Sequence, residues 1–434
     1  MPAMKRFLIC SAALLAAVCT YSQNLQQTLV EKLGATCVKE LSQDLGYAEK
    51  LSIHIPQALN HEDPEEGEFE QRIVVMHRGF DRPTVLVTEG YSADWALSPY
   101  YDEELAGYFD ANVVFVEHRF FGESRPAGCP WKYMTETQAL QDLHAVRQLF
   151  GRLYTGKWIA TGISKGGETT IEYRAYYPDD VDVSVPYVGP LCFTRRDTRQ
   201  ADLIANVKPD SMRTAVEALQ QEAMARKERL LPLFEAYCLR NNAYPSRIST
   251  SQLFDLCVLE YAYAFLQWYD PQKTPTKICC MSDEEVLAPI AEQAGYFTKV
   301  DSNMLSFFYQ AAYEQGYYAY NAKPFKGQMS QRLAKRYLKK VFLPTDLQGV
   351  RYHKKVSRTV RKWLRKNDPT MVLIYGENDP WTGAGVTWLE GKQNVRVFIK
   401  PQGSHATRIR NMEPGQRAEV LALLSEILGI EAKQ

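Results

Sequence analysis

The sequence predicts an α/β protein whose mostly parallel sheet is interrupted by an inserted helical cap. Three observations carry this. The short apolar runs Thr84-Val-Leu-Val-Thr, Asn112-Val-Val-Phe-Val-Glu and Trp158-Ile-Ala-Thr suit strands buried on both faces of a parallel sheet. Between the second and third lies Thr135 to Phe150, where Leu140, Leu143, Val146, Leu149 and Phe150 supply one apolar face of a crossover helix. From about Phe193 to Phe342 the pattern turns mostly helical, with no convincing parallel strand, and strand-like runs resume only at Met371.

The elements follow in order. Residues 1–22 read as a secretory signal. Lys5 and Arg6 form its basic region, Phe7 to Val18 is an apolar run too short to span a bilayer, and Thr20 and Ser22 suit cleavage before Gln23. The protein is thus expected to be exported, to the periplasm or beyond. Cys19 raises a lipid anchor as an alternative, which the bulky Val18 before it disfavours. Leu51-Ser-Ile-His-Ile and Phe69 to Met76 predict an antiparallel pair joined by the acidic turn His61 to Gly67. Thr135 and Gln138 have the spacing of a capping box. Val181 to Pro186 is a further strand, Met371-Val-Leu-Ile-Tyr and Val395-Arg-Val-Phe-Ile are two more, and a closing helix spans about Gln416 to Ile427. The domain reading is 23–192 for the first part of the core, 193–349 for the helical cap and 350–434 for the rest of the core. The cap's aromatic clusters, Tyr261 to Tyr269 and Phe307 to Tyr320, are read mainly as packed core, with a minority lining a pocket. The basic run from Tyr352 to Lys366 reads as a solvated helix face.

Composition narrows the function. The chain has 434 residues, 45% hydrophobic and 24% charged, an ordinary globular balance. Lys+Arg and Asp+Glu both number 51, so charge makes no case for nucleic acid or an acidic membrane surface. Seven cysteines remain beyond the leader, and an exported chain permits disulfides. An odd count leaves at least one unpaired within the chain, and adjacent Cys279 and Cys280 are not both expected to be bridged. Their scatter argues against a zinc site. No metal or other cofactor is called for.

Chemistry enters at Gly162-Ile-Ser164-Lys-Gly166, between the strand Trp158-Ile-Ala-Thr and a helix-like run beginning at Glu168. That context is what a nucleophile elbow requires, a serine held out of the fold on a tight strand-to-helix turn. The pattern alone also suits an ordinary Gly/Ser turn. A nucleophile elbow predicts an acid and then a histidine further along the chain. Only His353 and His405 follow Ser164. His405 lies in the loop after a strand, where parallel sheets place their chemistry, and His353 has no strand before it. His405 is therefore the base. Asp379, after the strand at Met371, is the acid, with Glu377 as runner-up. The backbone N–H of Lys165 is one oxyanion donor, and that of Tyr91, after the strand ending at Thr88, is the other.

Glu117-His-Arg-Phe-Phe-Gly-Glu-Ser, the Gly-x-Ser-Lys-Gly-Gly elbow, Gly376-Glu-Asn-Asp-Pro-Trp and Gly403-Ser-His together resemble the bacterial secreted prolyl tri- and tetrapeptidyl aminopeptidase family. More distantly they resemble the lysosomal prolyl carboxypeptidase and dipeptidyl peptidase group, as does Tyr309 to Tyr318 in the cap. Lys165 departs from the tyrosine usual after the serine in that second group and favours the first. The resemblance implies an α/β-hydrolase fold, Ser164 as nucleophile, Asp379 and His405 as its partners, and a helical cap gating the substrate. It implies a substrate with proline near a free N-terminus and a short peptide as product. Trp381 and Tyr317 are candidate walls of a proline pocket. A carboxylate at fixed distance should pair with the substrate's amine, Glu314 first and Glu89 second. Glu117 reads as structural, beside Arg119. An esterase or lipase, a proline-directed carboxypeptidase and a surface binding protein without catalysis remain as rival readings.

Overall fold

A computed structural model describes residues 24–433. The leader reading, with Cys19, lies outside the described residues. Nine strands form one sheet: β1 (Val38–Glu40), β2 (Glu49–Ala58), β3 (Glu68–His77), β4 (Thr84–Thr88), β5 (Asn112–Val116), β6 (Trp158–Ile163), β7 (Val183–Tyr187), β8 (Met371–Gly376) and β9 (Val395–Lys400). Their order across the sheet is β1-β2-β3-β5-β4-β6-β7-β8-β9. The first three strands and β5 pair antiparallel, with Leu51 opposite Val75 and Ile73 opposite Val116. From β5 to β9 every pairing is parallel.

The helices that matter here are α1 (Glu136–Phe150), α2 (Lys165–Tyr176), α3 (Asp210–Ala225), α4 (Lys227–Arg240), α5 (Thr250–Gln267), α6 (Asp283–Ala291), α7 (Ser302–Gln310), α8 (Gln331–Phe342), α9 (Lys355–Lys366) and α10 (Pro414–Leu428). Period-two alternation divides the strand side chains between two faces. Val85, Val113, Phe115 and Ile159 pack with Leu424 and Leu428 of α10. Leu86, Val114 and Ala160 pack with Leu140, Val146 and Phe150 of α1. Every residue of β4 and β5 is buried, and each buried Val, Leu or Phe contributes about 1.5–3 kcal/mol. The continuous apolar runs follow from that two-sided burial.

The segment between β7 and α9 is mostly helical. Its core is built from the predicted aromatics, including Tyr261, Tyr263, Phe308, Tyr317 and Tyr318, while Trp268 is exposed. One difference concerns strands. Arg196 and Asp197 pair in parallel with Tyr317 and Tyr318, a ladder two residues long. Such a fragment is too short to carry a periodicity. The capping box at α1 is half formed. Thr135 accepts from the Gln138 N–H at 3.3 Å, but the Gln138 side chain bonds His61 N and Asn60 instead. In the basic run, α9 buries Val356, Val360 and Leu364 and leaves most of its Lys and Arg exposed. The seven described cysteines are free thiols, with Cys279 Sγ and Cys280 Sγ 3.5 Å apart. Among the described residues no helix is long and apolar enough to cross a membrane.

The sheet order fixes where chemistry can sit. The chain leaves β4 toward β5 on one side and returns to β6 on the other. A crevice opens at the carboxyl ends of strands where the order reverses in this way. Tyr91 follows β4 and Ser164 follows β6, so both lie at that point.

Candidate active site

Ser164 has φ 59° and ψ −118°, between the end of β6 and the first residue of α2. Such a backbone costs about 1–3 kcal/mol and persists only where its surroundings hold it. Here the Ser164 N–H donates to Tyr187 O at 2.9 Å, and Ser164 O accepts from Glu168 N at 2.9 Å. Two glycines make the turn possible. A Cβ on Gly162 would lie 2.4 Å from the Gly166 carbonyl, and one on Gly166 would lie 2.5 Å from Glu89 O. Lys165 is the first helical residue, so its N–H has no intrahelical acceptor and is available at the turn.

Asp379 caps the short helix Pro380–Ala384, its Oδ1 accepting the Trp381 N–H at 3.1 Å. Its Oδ2 meets His405 Nδ1 at 2.7 Å, and both residues are buried. The His405 loop is also tied to the cap. The His405 N–H donates to Gln267 O at 2.9 Å, at the end of α5, and the Trp268 ring stands edge-on to the imidazole at 5.6 Å. Glu377 is elsewhere, accepting the Gln402 N–H at 2.8 Å. His353 donates its N–H to Tyr313 O and lies 4.8 Å from the Tyr313 ring.

Two cavities meet at Ser164. One, about 590 Å³, runs under the cap and is bordered by Tyr91, Lys165, Glu260, Tyr317 and Trp381. The other, about 520 Å³, is bordered by Glu89, Tyr91, Trp95, Trp268, His405 and Arg408. Trp381 and Tyr317 are therefore walls of the first, their rings 5.3 Å apart. The Tyr91 phenol faces Ser164, an interaction that opposes the burial raising its pKa. That contact is absent from the sequence reading, which used only the Tyr91 N–H.

The candidate anchors separate. Glu89 borders the His405 cavity, and burial pushes its carboxyl up to about 8 against the pull of Lys165 and Arg408. Glu314 borders neither cavity. Its Oε1 accepts the Glu136 N–H at the start of α1, so it closes a helix end inside the protein. Burial, together with Glu136, raises its carboxyl well above the usual range. The ammonium of Lys165 is buried without a hydrogen-bond partner among the described residues, 5.9 Å from the Tyr91 ring and 5.5 Å from Phe121. Burial lowers its pKa, and Glu136, Glu168, Glu172 and Glu314 oppose that. Glu117 does hold structure, but through Arg72, the Ala93 N–H and Ser124, while Arg119 pairs with Asp142 at 2.6 Å.

The sequence reading missed Glu260. Its signal was a single charge in the apolar stretch Leu256 to Leu266 of α5. Trp268 and Gln267, which hold the His405 loop, carried no comparable signal.

The fold is that of the α/β-hydrolases, and within it the protein is a serine peptidase. The chain belongs to the PS-10 peptidase S37 family, whose model matches residues 24–433. It is 28% identical over 385 residues to the prolyl tri/tetrapeptidyl aminopeptidase of Streptomyces mobaraensis, covering 86% of this chain and 79% of that protein. Over 141 residues it is 30% identical to the probable serine protease EDA2 of Arabidopsis thaliana, covering 28% of this chain and 29% of that one. Among solved structures, a proline iminopeptidase of Mycobacterium smegmatis matches 87% of this chain and 99% of its own, at 14% identity and a TM-score of 0.44.

Proposed function

We propose that the protein is an exported exopeptidase that releases short N-terminal peptides by cleavage after proline, through an acyl-enzyme on Ser164. The observation that carries this is the arrangement around the strained serine. A histidine fixed by a buried aspartate borders the same crevice, and an aromatic cavity opens beside it. The family membership and the name of the Streptomyces relative support the substrate class.

In this reading Ser164 Oγ attacks the carbonyl carbon of proline itself while His405 takes its proton. Asp379, bonded to Nδ1, keeps Nε2 as the exchanging nitrogen and stabilises the imidazolium. The N–H of Lys165 supplies one oxyanion donor. Tyr91 supplies the other, through its N–H or through the phenol that faces Ser164. His405 protonates the departing amine, so the leaving chain lies on the His405 side. The acyl fragment then occupies the cavity under the cap until a water, giving a proton to His405, attacks its ester carbon. Ser164 Oγ leaves with that proton, and the peptide departs with a free carboxyl end. Trp381 and Tyr317 offer flat apolar walls to proline, a compact ring without an N–H. Four carboxyl groups, Glu168, Glu260, Asp270 and Glu292, border this cavity against two lysines, Lys165 and Lys273, a balance that suits an ammonium end better than the carboxylate end a carboxypeptidase would bring.

The test is hydrolysis of Ala-Ala-Pro joined to a chromogenic amine, against Ala-Ala-Ala with the same leaving group. Turnover of the first at ten times or more the rate of the second, lost in Ser164→Ala, is the expected result. Equal rates would remove the proline specificity. Unchanged turnover in Ser164→Ala would remove the mechanism.

A further inference from the structure

Glu260 projects from α5 into the wall of the cavity that holds Ser164. It is buried, and its carboxylate accepts hydrogen bonds from the Tyr318 hydroxyl at 2.9 Å and from the Tyr320 hydroxyl. Among the described residues no Lys, Arg or His pairs with it. Tyr296 joins the same set, its hydroxyl 2.8 Å from that of Tyr317 and 3.1 Å from that of Tyr318. Tyr318 also lies 5.3 Å, ring to ring, from Trp381, two residues beyond Asp379. One aromatic layer thus separates the proposed proline wall from the carboxylate.

A buried carboxylate is costly unless a cation completes it. Burial pushes Glu260 up to about 7, and two neutral phenols only partly offset this. A peptide's α-amine titrates near pH ~8. Proton sharing between the two therefore favours the ammonium–carboxylate pair once both are out of water. The surrounding tyrosine rings add favourable faces for a cation.

We propose that Glu260 is the residue that receives the substrate's α-ammonium, and that its separation from Ser164 sets the length of the released fragment. This rests on the reading of the protein as an exopeptidase acting from a free N-terminus. Competing carboxylates are placed less well. Glu314 is occupied at the end of α1, and Glu89 sits on the leaving-chain side. Glu168 is one helical turn from Ser164, about 6 Å along the axis, and has Lys165 beside it. An amine three residues before the scissile bond lies ~10 Å away in an extended chain. Glu292 is exposed at the cavity border, and Asp270 caps its own short helix.

The experiment compares free and N-acetylated Ala-Ala-Pro chromogenic substrates on the wild-type protein and on Glu260→Gln. A fluorophosphonate probe reports that Ser164 remains reactive. The wild type is expected to prefer the free peptide by about 30- to 100-fold in kcat/KM, and the variant to lose most of that preference while still taking the probe. A labelled variant that keeps the preference would overturn the assignment of Glu260 alone. A wild type that cleaves both peptides equally would overturn the exopeptidase reading and the anchor with it. Should the variant fail to label, a wild-type ladder decides: Pro, Ala-Pro, Ala-Ala-Pro and Ala-Ala-Ala-Pro substrates. A fixed anchor gives a sharp optimum in length that acetylation abolishes, and equal rates along the ladder would sink the proposal.

Discussion

Ser164 occupies a backbone region that alanine finds as strained as serine does, so replacing it changes chemistry without relaxing the turn. Ser164→Ala should lower turnover by at least ~10³-fold at an unchanged melting temperature. Asp379→Asn tests the histidine's support. The amide keeps the shape but presents the wrong partner to Nδ1, and turnover should fall by about 10³- to 10⁴-fold. His353→Ala is the contrasting case, because that ring lies against Tyr313 and borders neither cavity. Its turnover should stay within about twofold, whereas His405→Ala should match the serine variant. A dead His353 variant beside an active His405 variant would reverse the choice of base. These residues were legible because the backbone around them dictates type. Gly162 and Gly166 answer carbonyls that leave no room for a Cβ, and the proposed acid and base, Asp379 and His405, stand after strands in the order the turn demands.

At the scale of elements, legibility follows how far an element's burial is set by its own sequence. β4 and β5 are covered on both faces and read as unbroken apolar runs. The cap is different, since which face of α5 meets the cavity depends on helices far along the chain. Glu260 and Glu314 show the consequence. Both are buried glutamates in aromatic surroundings, yet one borders the cavity and the other closes the start of α1. Nothing local to either residue separates those fates. Glu314 can be tested as a structural group. Near pH ~4, where the carboxyl is largely neutral folded or unfolded, Glu314→Gln keeps an oxygen for the Glu136 N–H and should change stability by less than ~1 kcal/mol. Glu314→Ala leaves that buried N–H without an acceptor and should cost about 1–3 kcal/mol in a denaturant titration. Neither variant should alter the ratio of free to acetylated substrate. A shift in that ratio would return Glu314 to the role of anchor.

Over the whole molecule, burial raises the pKa of several carboxyl groups, some lining the candidate crevice and others deeper in the fold, and this gives stability a sign with pH. Burial pushes Glu103 up to about 8 and Glu260 up to about 7, and raises Glu168, Glu172 and Glu314 well above the usual range. In the unfolded chain a glutamate titrates near ~4.3. Between that value and their folded values the native state holds protons that the unfolded state has released, so these groups make stability fall as pH rises. Buried His77 and His118 act oppositely, with folded pKa values lowered by burial, but their contribution is complete above about pH 6.5. Asp94 is held low by the Ser92 hydroxyl and Arg72, Asp110 by Lys433 and Asp197 by Arg199, and these matter only in acid. In the window from about pH 6.5 to 8 the buried carboxyls, Glu89 among them, lower stability as pH rises, while Lys165 and Lys50, whose pKa values burial lowers, act in the opposite sense. Each proton retained there is worth about 1.4 kcal/mol per pH unit, so the melting temperature should drop by a few degrees across it. Glu103 isolates one contributor, because its Oε2 accepts the Ala106 N–H at 2.7 Å and a glutamine oxygen can do the same. Glu103→Gln should show a visibly shallower decline over that interval in calorimetric scans. A wild-type melting temperature that instead climbs from pH 6.5 to 8 would mean that these carboxyls are ionised inside the fold, with Lys165 and Arg408 carrying more of the site's charge balance than burial does.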